Sequence, residues 1–261
     1  MKIVDVQQNT PEWEALRKTK VGASDANVIM ELSPFATPYQ LWQQKLDLVP
    51  RREMTSSMQR GHNLESLARQ ECEKTLGLLL MPVVAIHDEN EWMMASFDGI
   101  DPEGKCVVEI KCPNKDDQLI AFNGGIPDKY LAQLQHQMEI AQVEMAYYFS
   151  FDGKIGIPVK VYRDDKFIKE MIYKERIFWE CMQEFIPPEL MDKDYTQITD
   201  SEWLSIASEY KTILEKESEI LRRKEILRTE LISGSQGHNV MGNGLKVSKV
   251  SRRGNIDYSQ I

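Results

Sequence analysis

The stretch Asp98-Gly-Ile-Asp-Pro-Glu-Gly-Lys-Cys-Val-Val-Glu109-Ile-Lys111 decides how this chain is read. It has the pattern of a strand end, a short turn and a second strand. Along residues 105–112, Cys106, Val108, Ile110 and Cys112 alternate with Val107, Glu109 and Lys111. That period of two places Glu109 and Lys111 side by side on one strand face. The turn brings Asp98, at the end of the run 92–97, back toward Glu109. Two converging carboxylates offer the oxygen ligands that a hard divalent cation such as Mg2+ prefers. A lysine beside them orients water or neutralises charge growing on a phosphate. These residue types in this order point to metal-assisted hydrolysis of a phosphodiester. An ordinary hairpin with an Asp-Gly turn and a solvated Glu/Lys pair has the same pattern, so support must come from the rest of the chain.

With 261 residues, 42% of them hydrophobic, the chain can bury a substantial core, and one domain with a helical appendage is expected. No apolar run reaches the ~20 residues that span a bilayer. The start, Met1-Lys-Ile-Val-Asp, lacks the basic-then-apolar plan of a signal peptide, so a cytoplasmic protein without a membrane partner is expected. The cysteines at 72, 106, 112 and 181 are then reduced thiols, and no Cys-x2-Cys spacing suggests zinc. Cys106 and Cys112 are expected to pack behind the strand that carries Glu109. A net charge of −9 is unusual for a protein that binds DNA, whose affinity comes largely from neutralised phosphates. Basic residues nevertheless gather at 17–20, 51–52, 222–224 and 246–253, and acidic ones along 164–190 and 200–230. Such runs are also ordinary solvated faces, so charge leaves DNA binding open.

Short helices are expected at 11–18, 25–31 and 38–46, and a longer one at 61–76 closed by Gly77. Strands are expected at about 79–86, 92–97, 105–112, 145–151 and 159–162. Pro127-Asp128 opens a helix whose stripe runs Leu131, Leu134, Met138, Ala141 and Met145. A helix over 167–186 stops at Pro187-Pro188. Beyond it, Ile206, Ile213, Ile220 and Leu227 recur every seven residues, a coiled-coil-like seam interrupted by Glu217 and Lys224. Residues 233–244 read as a linker and 245–258 as a terminal hairpin around Arg253-Gly254-Asn255.

The order Asp-x10-Glu-x-Lys on a hairpin resembles the core of the PD-(D/E)xK nuclease superfamily, with Phe97-Asp98 standing where many members have Pro-Asp. Four blocks, in order, resemble the phage lambda exonuclease and YqaJ-type viral recombinase family. They are Trp13-Glu-Ala-Leu-Arg17 with Val21-Gly-Ala-Ser24-Asp25; Arg60-Gly-His-Asn-Leu-Glu65; Ser96-Phe-Asp98-Gly99 through Glu109-Ile-Lys111-Cys-Pro113; and Tyr130-Leu-Ala-Gln133-Leu-Gln135. Together they span about residues 10–185. The ending Arg253-Gly-Asn-Ile-Asp-Tyr258 is similar to one seen in some of these proteins.

The resemblance implies an α/β fold with a central mixed sheet flanked by helices. Residues 1–190 would form the nuclease core, and 191–261 a helical arm with a terminal hairpin. It implies 5′-to-3′ digestion of linear double-stranded DNA from its ends to mononucleotides, leaving 3′ overhangs. Asp98 and Glu109 would bind Mg2+ (Mn2+ substituting), with Glu65 joining a centre of two ions; two metals ~4 Å apart activate water and stabilise the leaving oxygen. Lys111 would orient water or stabilise charge, and Gln133 would hold the nucleophilic water. Arg17, Ser24 and Ser96 would hold the terminal 5′-phosphate, arginine by its planar fork. Where the lambda-type enzyme has threonine two residues before that serine, this chain has Gly22, so one donor is missing. The resemblance also implies a ring-shaped homotrimer and a phage-type single-strand annealing protein as partner. Each residue has a plainer alternative: a surface carboxylate for Glu65, an exposed glutamine for Gln133, a surface arginine for Arg17, a helix N-cap for Ser24 and a small strand-end residue for Ser96. His62, His87 and His136 lack paired spacing and are expected to be structural or surface residues. Two other functions stay open. One is a structure- or sequence-specific endonuclease with the same site; the other is a non-catalytic DNA-binding assembly module, against which the intact Asp98/Glu109/Lys111 set counts.

Overall fold

Met93–Ile100, buried at six of its eight positions, is the axis around which the core unit is built. The computed structural model describes residues 1–50 and 55–250. It divides into two compact units, Met1–Tyr195 and Thr196–Ile261, rather than at the 190/191 boundary read from the sequence. The first unit holds a sheet of β1 (Lys2–Val4), β2 (Val21–Gly22), β3 (Met81–Ile86), β4 (Met93–Ile100), β5 (Val107–Lys111), β6 (Met145–Phe151) and β7 (Gly156–Tyr162). Its order is β1-β3-β4-β5-β6-β7, with β2 beside β4. The pairs β5–β6 and β2–β4 are parallel and the others antiparallel, so the sheet is mixed.

A parallel pair needs a crossover. Here α5 (Lys115–Phe122) and α6 (Leu131–Ala141) supply it between β5 and β6, with a 3-10 turn at Asp128–Tyr130 leading into α6. The remaining helices of this unit are α1 (Pro11–Thr19), α2 (Ala23–Ile29), α3 (Pro38–Lys45), α4 (Ser56–Leu76) and α7 (Asp165–Glu184). Their starts follow local chemistry. Thr10, Thr37, Asn114 and Asp164 cap α1, α3, α5 and α7 through side-chain oxygens, and Pro11 and Pro38 occupy first-turn positions where no N–H is needed.

The alternation along β5 holds. Val108, with Cys106, Ile110 and Cys112, packs against Ala68 and Cys72 of α4 and against Leu80, Phe149 and Phe151. Val107 faces the other cluster, with Phe97, Leu134, Met138 and Tyr148. Burial pushes the Cys72 thiol up to about 12, in keeping with inert packing. Gly99 permits this closeness, because a Cβ there would lie 3.0 Å from Leu80 Cβ.

Several expectations change. α6 is buried on every face from Ala132 to Ile140, not along one stripe. It ends at Gln142 in a left-handed conformation (φ 56°), so Met145 opens β6 instead of extending the helix. Its polar side chains are consumed by partners. Gln135 bonds the Tyr162 carbonyl and the Asp164 amide, and His136 lies between the Met94 carbonyl and Glu175. His136 and His87 are buried structural residues, and His62 is exposed. β1 and α5 arise where no element was read. α2 starts at Ala23 with Gly22 as its N-cap, so Ser24 lies inside the first turn and is not the cap.

In the second unit, α8 (Ser201–Gly234) is one continuous helix whose apolar residues, Ile206, Ile213, Ile220 and Leu227 among them, are exposed. A hairpin of β8 (Val240–Gly242) and β9 (Leu245–Val247) follows, turned by Asn243-Gly244 at φ 47° and 81°. β8 and the turn use residues read as a linker, whereas β9 falls at the start of the 245–258 stretch read as a hairpin; the turn expected around Arg253–Asn255 lies outside the described residues.

Candidate active site

Period two along β4 turns Met94, Ser96 and Asp98 to one side, and β5 brings Glu109 and Lys111 beside them. α1, the β2–α2 turn and α6 close round this face. The result is a cleft with a cavity volume of about 130 Å3, lined by Gln8, Trp13, Arg17, Gly22, Ser24, Ser96, Asp98, Glu109, Lys111 and Gln133 among others. All the candidate residues read from the sequence stand there except Glu65.

Asp98 is half-buried. Its Oδ2 accepts from the Ile110 amide at 2.8 Å, which ties β4 to β5 one step beyond the ladder. Burial, and then the neighbouring Glu109 carboxylate, push the Asp98 carboxyl up to about 7. Glu109 is 1% exposed and surrounded by donors: Lys111 Nζ and Gln133 Nε2 reach Oε1, each at 2.5 Å, and Gln137 Nε2 reaches Oε2 at 2.5 Å. Burial disfavours the Lys111 ammonium, but Glu109 and Asp98 outweigh that effect and hold its pKa above the usual value. Its Nζ also lies 5.3 Å from the Tyr130 ring centre.

This donor set fits a hard divalent cation. Two carboxylates converge, and burial together with the Glu109 charge makes the ionised form of Asp98 costly, a cost that a bound cation would offset. Asp98 and Glu109 are the residues that would hold the ion. Glu65 stands farther out: its charge helps push the Asp98 carboxyl up, but it does not join the pair around one position. It lies on α4, 45% exposed, with Oε1 taken by Arg69 at 3.3 Å, and among the described residues no three His, Cys, Asp or Glu side chains assemble around one metal position.

The other wall is cationic. Arg17 lies over the Trp13 ring, 4.5 Å from its centre, and its Nη2 donates to Ser24 Oγ at 3.1 Å. Trp13 Nε1 donates to Ser96 Oγ at 2.7 Å, leaving the Ser96 proton free for another acceptor. Behind this wall, the buried pair Lys45–Asp25 (2.5 Å) ties three elements together. Lys45 Nζ donates to the Arg17 and Lys20 carbonyls, and Asp25 Oδ2 accepts from the Gly22 amide. A Cβ at Gly22 would come 3.2 Å from Asp25 Oδ2, so the threonine that lambda-type enzymes carry here would need Asp25 to give way slightly.

Sequence reading gave no site role to Gln137, to the Lys45–Asp25 pair or to Trp13, although Trp13 and Asp25 stand in the first block that carries the resemblance. Gln137 stands one helical turn from Gln133, and that i,i+4 spacing was its one local signal. Nothing local marks the other contacts, which join distant segments.

Residues 12–144 match the YqaJ-like viral recombinase domain model. The uncharacterized protein YqaJ of Bacillus subtilis (strain 168) is 29% identical over 180 residues, covering 66% of this chain, which in turn spans 56% of that relative's length. An alkaline exonuclease from Laribacter hongkongensis, solved alone and in complex with dAMP, superposes with a TM-score of 0.58 at 26% identity, covering 68% of this chain and 94% of that one. The family model takes in half of the chain, including Arg17, Asp98, Glu109, Lys111 and Gln133, and the chain therefore belongs to the YqaJ-like viral recombinase domain family.

Proposed function

We propose that this protein is a Mg2+-dependent 5′-to-3′ exonuclease acting on the ends of linear double-stranded DNA. It releases mononucleotides and leaves 3′ single-stranded overhangs. One observation carries this reading: Arg17 and Ser24 open into the same cleft as Asp98, Glu109 and Lys111. A phosphate-binding wall and a hydrolytic wall in one small cleft suit a substrate held by its terminal phosphate. The dAMP bound by the similar alkaline exonuclease is a 5′-mononucleotide and agrees with that product.

Each residue has a task in this scheme. Asp98 and Glu109 bind the cation, which supplies Lewis-acid charge and a water of lowered pKa. Lys111, kept protonated by its carboxylate neighbours, places positive charge where the phosphate becomes more negative. Gln133 bonds Glu109 and has no proton to transfer, so it orients and does not act as acid or base. Arg17 offers two parallel N–H bonds to the 5′-phosphate, with the Ser24 and Ser96 hydroxyls as neutral donors. After each cut the new 5′-phosphate enters the same position. A homotrimeric ring around the duplex would retain the substrate, and a single-strand annealing protein would take up the overhang.

The test is digestion of linear duplexes labelled separately at each 5′ and 3′ end, in Mg2+ and in chelator, beside covalently closed circles. Early release of 5′ label as mononucleotide, with circles resistant, is expected. Cutting of closed circles would favour an endonuclease.

A further inference from the structure

Gln133 and Gln137 both spend their amide nitrogens on Glu109, but on different oxygens. A carboxylate oxygen has two lone-pair sites. Oε1 has both filled, by Gln133 and Lys111, whereas among the described residues Oε2 receives only Gln137, which leaves one site. Gln137 is fully buried, and its own Oε1 has no partner among the described residues. A flipped amide would turn that oxygen onto ionised Oε2, so the carboxylate fixes the amide as firmly as the amide fixes the carboxylate.

We propose that Gln137 is a positioning residue for the divalent cation, locking Glu109 so that Oε2 presents its free lone pair beside Asp98. The proposal rests on the metal-dependent reading above and deepens it. Neither the family resemblance nor the cleft lining nominates Gln137, which acts from behind Glu109. Gln133 has the different task of sharing Oε1 with Lys111, so the two glutamines are not interchangeable.

Mn2+ binding to the full chain, measured by calorimetry without DNA, separates this role from catalysis. Gln137→Leu should weaken Mn2+ about 10–100-fold, the usual effect of losing a residue that orients a metal ligand. Excess Mn2+ should restore kcat, with KM for DNA unchanged. Gln137→Met keeps side-chain length beside Leu134 and Met138, should behave in the same way, and serves if the leucine variant misfolds. Wild-type Mn2+ affinity in either folded variant overturns the proposal while the metal reading stands. Wild-type protein that binds no Mn2+, or Asp98→Asn that binds it normally, overturns the metal reading and the proposal together.

Discussion

Asp98 shows how one side chain links stability, pH and metal binding. Its folded carboxyl titrates near about 7, raised by burial and by Glu109 from an ordinary 3.8. Between those values the folded state holds a proton that the unfolded chain has released. This group's contribution to stability is therefore largest in acid and is lost as pH rises toward about 7. In urea titrations of metal-free protein, Asp98→Asn should flatten that decline; an unchanged slope would place the titration elsewhere. A divalent cation competes with the same proton, so Mn2+ should raise the melting temperature more at pH 8 than at pH 5.5. Catalysis should respond differently at each residue. Asp98→Ala or Glu109→Ala should abolish cleavage while leaving DNA binding intact or stronger, since a negative charge is removed. Lys111→Ala should lower kcat about 10^2–10^3-fold with Mn2+ affinity retained, because an ammonium stabilises charge and is no ligand. Single-turnover rates and calorimetry distinguish the two classes.

At the scale of elements, α1, α2 and α3 meet at the Lys45–Asp25 pair, and this junction sets the backbone that carries Arg17. Burial disfavours the Asp25 carboxylate, yet Lys45 and Arg17 prevail and hold its pKa below the ordinary value. Lys45→Met would take the ion-pair partner from that buried carboxylate and leave it only the Gly22 amide and the charge of Arg17; breaking comparable buried pairs costs about 3–5 kcal/mol. Denaturant unfolding should register a loss of that order, and the preference for 5′-phosphate over 5′-hydroxyl duplexes should fall with it. Arg17→Ala should shrink the same preference by about tenfold or more, given about 1.5–3 kcal/mol for a hydrogen bond to a charged group, with no comparable loss of stability. Equal rates on both ends for wild type would show that no phosphate pocket drives the reaction. Two elements, β1 and α5, carry no clear local period, for physical reasons. β1 is a three-residue edge strand, too short for a period to show. α5 leaves Leu119, Ile120 and Phe122 exposed, so its apolar residues do not mark one buried face.

For the whole molecule, the first unit contains the entire sheet and every residue of the cleft. A fragment ending at Tyr195 should fold alone and keep Mn2+ binding; a fragment without a cooperative melt would make the second unit part of the core. Among the described residues no helix is long and apolar enough to cross a membrane. The full chain should sediment at three times 30.2 kDa if three copies close a ring. A concentration-independent monomer that digests long duplexes processively would remove the ring from the account. A net charge of −9 is compatible with the proposed binding of DNA, because Arg17 and Lys111 put positive charge on the lining of one cleft, where a phosphate would enter.

What the sequence determined by itself was everything carried by a short period or a fixed spacing. The alternation through residues 105–112 placed Glu109 and Lys111 on one face, and Asp98, with ten residues between it and Glu109, closed the hairpin against them. Backbone geometry dictates those relations within a few residues, so no distant contact is needed. The tertiary structure alone decided the rest. Gln137 meets Glu109 across 28 positions, Trp13 meets Ser96 across 83, and Lys45 reaches the Arg17 carbonyl across 28. Such meetings depend on the β5–β6 crossover and on how α1 and α3 pack, which no local pattern encodes. The same packing left Glu65 outside the carboxylate pair, although its motif is intact, because α4 delivers its side chain to Arg69 and solvent.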